Sequence, residues 1–151
     1  MKLVFLPGMD GTGLLFQGLL QHIPKTIDTD VICLNDTPGI SYRQQAEHIA
    51  SALGGSSVVL VAESYSGRLA YEVCHILGCQ ILKVIFIASF VSCPSRLAKG
   101  ASILPEILLN PTMLPNWLIQ FLCFSGGATD VQLKKVRETV AGVSSGTLKQ
   151  R

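Results

Sequence analysis

Apolar runs and amphipathic stripes alternate along the first ninety residues. KLVFL (2–6), SSVVLVA (56–62) and LKVIFIASF (82–90) are near-continuous apolar stretches, each bounded by turn signals, and they predict buried strands. DVICLND (30–36) predicts another, closed by DTPG. The intervening segments change period. Leu15, Leu19 and Ile23 fall on one helical face, and Pro24 ends that pattern. SYRQQAEHIASAL (41–53) opens with Ser41 and Gln44 in capping-box spacing, with Ala46, Ile49, Ala50 and Leu53 as its buried stripe. A third helix is predicted over 65–77, with Leu69, Ala70, Val73, Ile76 and Leu77 inward and Gly78 as its stop. The order β-α-β-α-β-α-β, with strands apolar on both faces, predicts an α/β fold: a parallel sheet of about four strands, flanked by helices in three layers.

The pattern changes after residue 93. ILPEILLNPTMLPNWLIQFLCF carries many leucines and no clean strand, and predicts short helices broken at Pro105, Pro111 and Pro115. DVQLKKVRETVAGV (130–143) predicts a longer helix capped by Asp130. The predicted organisation is therefore a core over 1–93 and a helical segment over 94–151.

Composition narrows the class. Hydrophobic residues make up 48% of the 151 and charged residues 15%, which suits one domain with a substantial core and excludes a disordered chain. A net charge of +2 gives no field suited to nucleic acid or acidic lipid. No apolar run approaches the roughly 18 residues of a membrane span, and Leu3–Leu6 is too short for a secretory leader. The five cysteines (33, 74, 79, 93, 123) form no C-x-x-C pair, so no structural zinc site is expected, and a reducing cytoplasmic setting is the simplest reading.

In a parallel sheet the chemistry belongs beyond the carboxyl ends of the strands. Four loops are predicted there: 7–13, 36–40, 63–66 and 89–95. The third, within VVLVAESYSGRLAYE, sets Ser64 between a strand and a helix. A nucleophile elbow needs small residues two before and two after the nucleophile, because the strand and helix backbones approach there. Ala62 and Ser66 meet that demand, and Gly67 follows. Reading Ser66 as the nucleophile would put Arg68 where a small residue is required. The turn also sets Ser64 at a helix start, where backbone N–H groups favour negative charge. The plainer alternative is that Ser64 only caps the helix.

An acyl-transfer serine also needs two oxyanion donors. The Tyr65 N–H, next in the chain, is one candidate. The loop FLPGMDGTG could present the Met9 N–H as the other, with Gly8, Gly11 and Gly13 allowing close backbone approach. The same loop has a rival reading as a phosphate cradle. Its spacing, G-x-x-G-x-G, is the wrong order for a dinucleotide fingerprint, and it has no lysine for a P-loop.

LVFLPGMDGTGLLF, followed by AESYSG at a strand end, resembles the α/β-hydrolase superfamily, and in particular small bacterial members that open with an LPGxDGTG loop. The likeness covers residues 1 to about 93 well and the lid-like stretch after it loosely. It implies Ser64 as nucleophile, Met9 and Tyr65 as oxyanion donors, no cofactor, and a sheet ordered second, first, third, fourth. It also implies an acid and a histidine after later strands, and here the chain departs from the pattern. No strand is predicted after residue 91, so the chain reads as C-terminally truncated. Downstream of Ser64 stand only His75 and Asp130. His75 lies eleven residues along the helix that Ser64 opens, about 16 Å away at about 1.5 Å per residue. His22 and His48 sit late in their helices, and Asp10 and Asp36 cannot activate a serine without a histidine.

The expectation is a serine hydrolase lineage for carboxylic esters or thioesters with an apolar acyl group, weak or inactive for lack of a base. The alternatives are a non-catalytic α/β domain that binds an apolar ligand or partner through 94–124, and a nucleotide-binding half-domain. The apolar strand at 82–90 would be an edge, open to self-association.

Overall fold

The computed structural model describes residues 2–37, 41–92, 115–117, 119–120 and 127–141. The chain divides into two compact units, Met1–Pro94 and Ser95–Arg151. The first holds four strands, β1 (Lys2–Leu6), β2 (Asp28–Val31), β3 (Val58–Glu63) and β4 (Ile81–Ile87). They form one all-parallel sheet in the order β2-β1-β3-β4, the order that the resemblance implies. Among the described residues its α-helices are α1 (Gln17–Leu20), α2 (Tyr42–Leu53) and α3 (Ser66–Leu77).

The two-residue alternation of the strands sorts the core into two layers. Val4, Leu6, Val58, Leu60 and Ala62 pack on one face with Ala46, Ile49 and Leu53 of α2 and Leu69, Ala70 and Val73 of α3. On the other face Phe5 and Val61 pack with Phe16, and the Phe5 and Phe16 rings lie 5.1 Å apart. Burial of each large apolar side chain contributes roughly 1.5–3 kcal/mol. That is why the central strands β1 and β3, covered on both faces, hold the sheet together.

Several boundaries differ from the sequence reading. The first helical pattern forms only a 3-10 turn, Leu14–Phe16, running into α1. Gly13 precedes it at a φ of 75°, and an added Cβ there would strike Val31 Cγ1. β2 lies earlier than 30–36: Asp28–Val31 pairs with β1, while Leu34–Asp36 turns into a 3-10 helix. It is an edge strand with Asp28, Thr29 and Asp30 exposed, so it is not apolar on both faces. β4 ends at Ile87, short of residue 90, because Ala88 turns the chain at a φ of 44°. At the opposite edge, β4 has Leu82, Ile85 and Phe86 exposed. The capping box of α2 forms as read, with Ser41 Oγ accepting from the Gln44 N–H and Gln44 Oε1 from the Ser41 N–H.

In the second unit, a helix spans Asp130–Ala141. Asp130 is its first residue and not its cap. Thr129 takes that role, exchanging hydrogen bonds with Gln132 through Thr129 Oγ1 and Gln132 Oε1. Arg137 of this helix donates to Asn116 Oδ1 at 2.7 Å. The short helices read between 94 and 114, with their breaks at Pro105 and Pro111, lie outside the described residues.

Candidate functional site

β3 and α3 meet with only Ser64 and Tyr65 between them. To turn that tightly the chain places Ser64 at a φ of 48°, in the left-handed region that non-glycine residues rarely occupy. Such a conformation costs of order 1–2 kcal/mol and persists only where neighbours hold it. Here the end of β4 holds both peptide groups. The Ser64 N–H donates to the Ile87 carbonyl at 3.0 Å, and the Ser64 carbonyl accepts from Ser89 Oγ at 2.7 Å and from the Gly67 N–H at 3.2 Å.

The small residues around Ser64 have distinct tasks. Ala62 is fully buried beneath the sheet's α2–α3 face. Ser66 is also fully buried, and its hydroxyl donates to the Pro7 carbonyl, which ties the start of α3 to the 7–13 loop. Gly67 faces Ser89 and Phe90, and any Cβ there would drive into Ser89 Oγ and the Phe90 carbonyl. Tyr65 stacks on Tyr42 with ring centroids 4.8 Å apart, and its hydroxyl donates to Gln45 Oε1 at 3.1 Å.

The 7–13 loop comes back against this elbow. A Cβ built on Gly8 would lie 3.5 Å from Ser64 Cβ, 3.6 Å from Glu63 Cδ and 3.7 Å from Asp10 Oδ1. Those are ordinary contacts, so glycine gives close approach here without being sterically obligatory. Met9 follows, 41% exposed, at the loop's rim. Asp10 is buried and organises the loop, its Oδ2 accepting from the Thr12 N–H at 3.0 Å and from the Thr12 hydroxyl.

The fold thus brings Ser64, Tyr65, Gly8 and Met9 to one end of the sheet. Among the described residues, none is placed as a base beside Ser64. Among the described residues, the Ser64 hydroxyl makes no hydrogen bond. His75 lies in the last turn of α3, edge-on to Tyr71. His22, just past the end of α1, pairs through Nδ1 with the Gly18 carbonyl at 2.7 Å, and His48 is exposed on α2. No group of three or more metal-ligating side chains occurs among the described residues. Nor, among them, is any helix long and apolar enough to cross a membrane.

Two contributors escaped the sequence reading. Ser89 lies in the predicted 89–95 loop, but nothing in its spacing announces a bond to the Ser64 carbonyl. Glu63 stands next to Ser64, and only the packed structure shows what it meets. Its Oε2 accepts from the Gly8 N–H at 3.3 Å. Burial, and then the nearby Asp10 charge, push its carboxyl above the ordinary value of 4.5, and the Gly8 N–H opposes them.

That shift has a consequence for stability. Below the ordinary carboxyl range Glu63 is protonated in both folded and unfolded chains and costs nothing. From 4.5 upward the unfolded chain ionises first, so the folded state loses stability until pH has passed the folded-state value. Urea midpoints measured across weakly acid pH should fall for wild type relative to Glu63→Gln. Parallel curves would remove Glu63 from the pH dependence.

Comparison with protein-family models, with curated proteins and with solved structures returns no match for this chain.

Proposed function

We propose that this chain is a serine hydrolase of the α/β-hydrolase type, acting on carboxylic esters or thioesters with an apolar acyl group. Ser64 is the nucleophile, and the backbone N–H groups of Met9 and Tyr65 receive the oxyanion. The observation that carries the reading is the left-handed backbone of Ser64 between a parallel strand and a helix, a strained geometry that a plain helix cap does not need.

The reaction follows from that placement. The Ser64 oxygen attacks the ester carbonyl carbon while its proton passes to solvent water, which returns a proton to the leaving oxygen or sulfur. The carbonyl oxygen gains negative charge, which preorganised amides stabilise more in the transition state than in the ground state. Collapse expels the alcohol or thiol, and water then releases the acid. With no base beside Ser64 among the described residues, the first step is slow. In well-studied triads, loss of one member leaves roughly 10³–10⁴-fold acceleration over water, and a rate of that order is expected here.

The test is the reaction of the folded chain with a fluorophosphonate probe, the adduct being located by mass spectrometry. A single phosphonyl group on Ser64 is the expected result. A folded chain that takes no label, or takes it elsewhere, sinks the proposal.

The Ser64 hydroxyl's lack of a hydrogen-bonded base among the described residues favours a second reading, a non-catalytic α/β domain that binds an apolar ligand or partner. Equal hydrolysis of a short-chain nitrophenyl ester by wild type and Ser64→Ala would select it.

A further inference from the structure

We propose that Glu63 is a positioning residue, whose carboxyl holds the Gly8 amide and with it the loop that carries Met9 against the Ser64 elbow. This rests on the hydrolase reading for its catalytic meaning, but the hold itself is a matter of geometry.

The loop is tied to the elbow at two successive residues. Ser66 Oγ donates to the Pro7 carbonyl, and Glu63 Oε2 accepts from the Gly8 N–H. Both ties originate within two residues of Ser64, one on each side, and the next residue of the loop is Met9. A shift at Gly8 therefore moves the Met9 amide relative to the Ser64 hydroxyl. Displacements of about 1 Å at a reacting centre can cost about 10²-fold in rate, so the tie is worth keeping rigid.

Glu63 does this in surroundings that disfavour its charge. The groups facing it are the Gly8 N–H and the Asp10 carboxylate, both from the 7–13 loop. Among the described residues no lysine, arginine or histidine pairs with it. An ionised Glu63 would also stand close to the oxygen on which negative charge develops when Ser64 reacts, and would oppose that charge. The neutral carboxyl still accepts the Gly8 N–H through its carbonyl oxygen and offers no such opposition. Glu63 therefore serves the site best when protonated, and Glu63→Gln imitates that form: it keeps the acceptor and removes the charge.

The experiment uses the full chain as wild type, Glu63→Gln and Glu63→Ala. Two quantities are read: hydrogen exchange at the Gly8 amide by NMR, and the rate of fluorophosphonate labelling at Ser64 across pH. Glu63→Ala should speed Gly8 exchange by about tenfold or more, the worth of a lost hydrogen bond to an ionisable group, and slow labelling by a similar factor. Glu63→Gln should leave Gly8 protected. Its labelling rate relative to wild type should be near one at acid pH, and should rise above one as wild-type Glu63 ionises. Unchanged Gly8 exchange in Glu63→Ala overturns the proposal. So does loss of labelling in Glu63→Gln, which would make the carboxylate a proton acceptor for Ser64. If Glu63→Ala does not fold, Gly8 exchange in wild type and Glu63→Gln decides, and a Gly8 amide that exchanges as fast as an unprotected glycine in both overturns the proposal. An unlabelled wild type whose Gly8 exchange still depends on Glu63 removes the hydrolase reading and leaves the clamp standing.

Discussion

A chain carrying Ser64→Gly is expected to take no fluorophosphonate and yet unfold at a higher urea concentration than wild type. The two effects share one cause. The elbow forces residue 64 to a φ of 48°, where an L-residue's Cβ crowds its own backbone at a cost of order 1–2 kcal/mol. Glycine avoids that cost. It also gains about 0.5–1 kcal/mol of unfolded-state freedom, which offsets part of the relief. The expected balance is a stabilisation of about 0.5–1 kcal/mol, with complete loss of labelling. Ser64→Ala separates the two: it removes the oxygen but keeps the Cβ, so labelling vanishes with no gain in stability. A destabilised Ser64→Gly chain would mean that the turn is not strained at this residue.

Gly67→Ala is expected to cost about 2–3 kcal/mol, and to slow Ser64 labelling by about tenfold or more. In an exposed helix the same change would gain about 1 kcal/mol from helix propensity. Here the new methyl would meet Ser89 Oγ and the Phe90 carbonyl, and the carbonyl is backbone that cannot rotate aside. Relief requires α3 to lift away from the loop after β4. That loop and the end of β4 hold Ser64, through Ser89 Oγ on its carbonyl and the Ile87 carbonyl on its N–H. Equilibrium unfolding in urea measures the first effect and probe kinetics the second. A stabilised Gly67→Ala chain would show that the approach of α3 to residues 89–90 is looser than described.

The strands and helices of the first unit were legible because each is written in a period that only one backbone satisfies. Val58–Ala62 and Leu3–Leu6 are apolar at every position, as strands covered on both faces must be. Ser41 and Gln44 carry their own instruction for starting α2. Where the pattern was weak, the reading slipped. Asp30–Asp36 mixes apolar and polar positions, and tertiary pairing with β1 moved the strand to Asp28–Val31. The stripe at Leu15, Leu19 and Ile23 holds too little helix-forming sequence around Gly18 and Pro24 to sustain more than a turn. Asp130 and Thr129 are both competent caps, and only the bonds to Gln132 distinguish them.

By itself, the order of residues determined that this chain forms a parallel sheet between helices and that a serine stands at a strand-to-helix turn. Both follow from local periodicity and side-chain size, which act over a few residues. Only the tertiary structure decided what surrounds that serine. Ser89 on its carbonyl, the Ile87 carbonyl on its amide, Ser66 on Pro7 and Glu63 on Gly8 join residues far apart in the chain, and the longest of these links spans 59 positions. Such contacts depend on how adjacent strands end relative to one another, a quantity set by sheet register and carried by no single stretch of sequence.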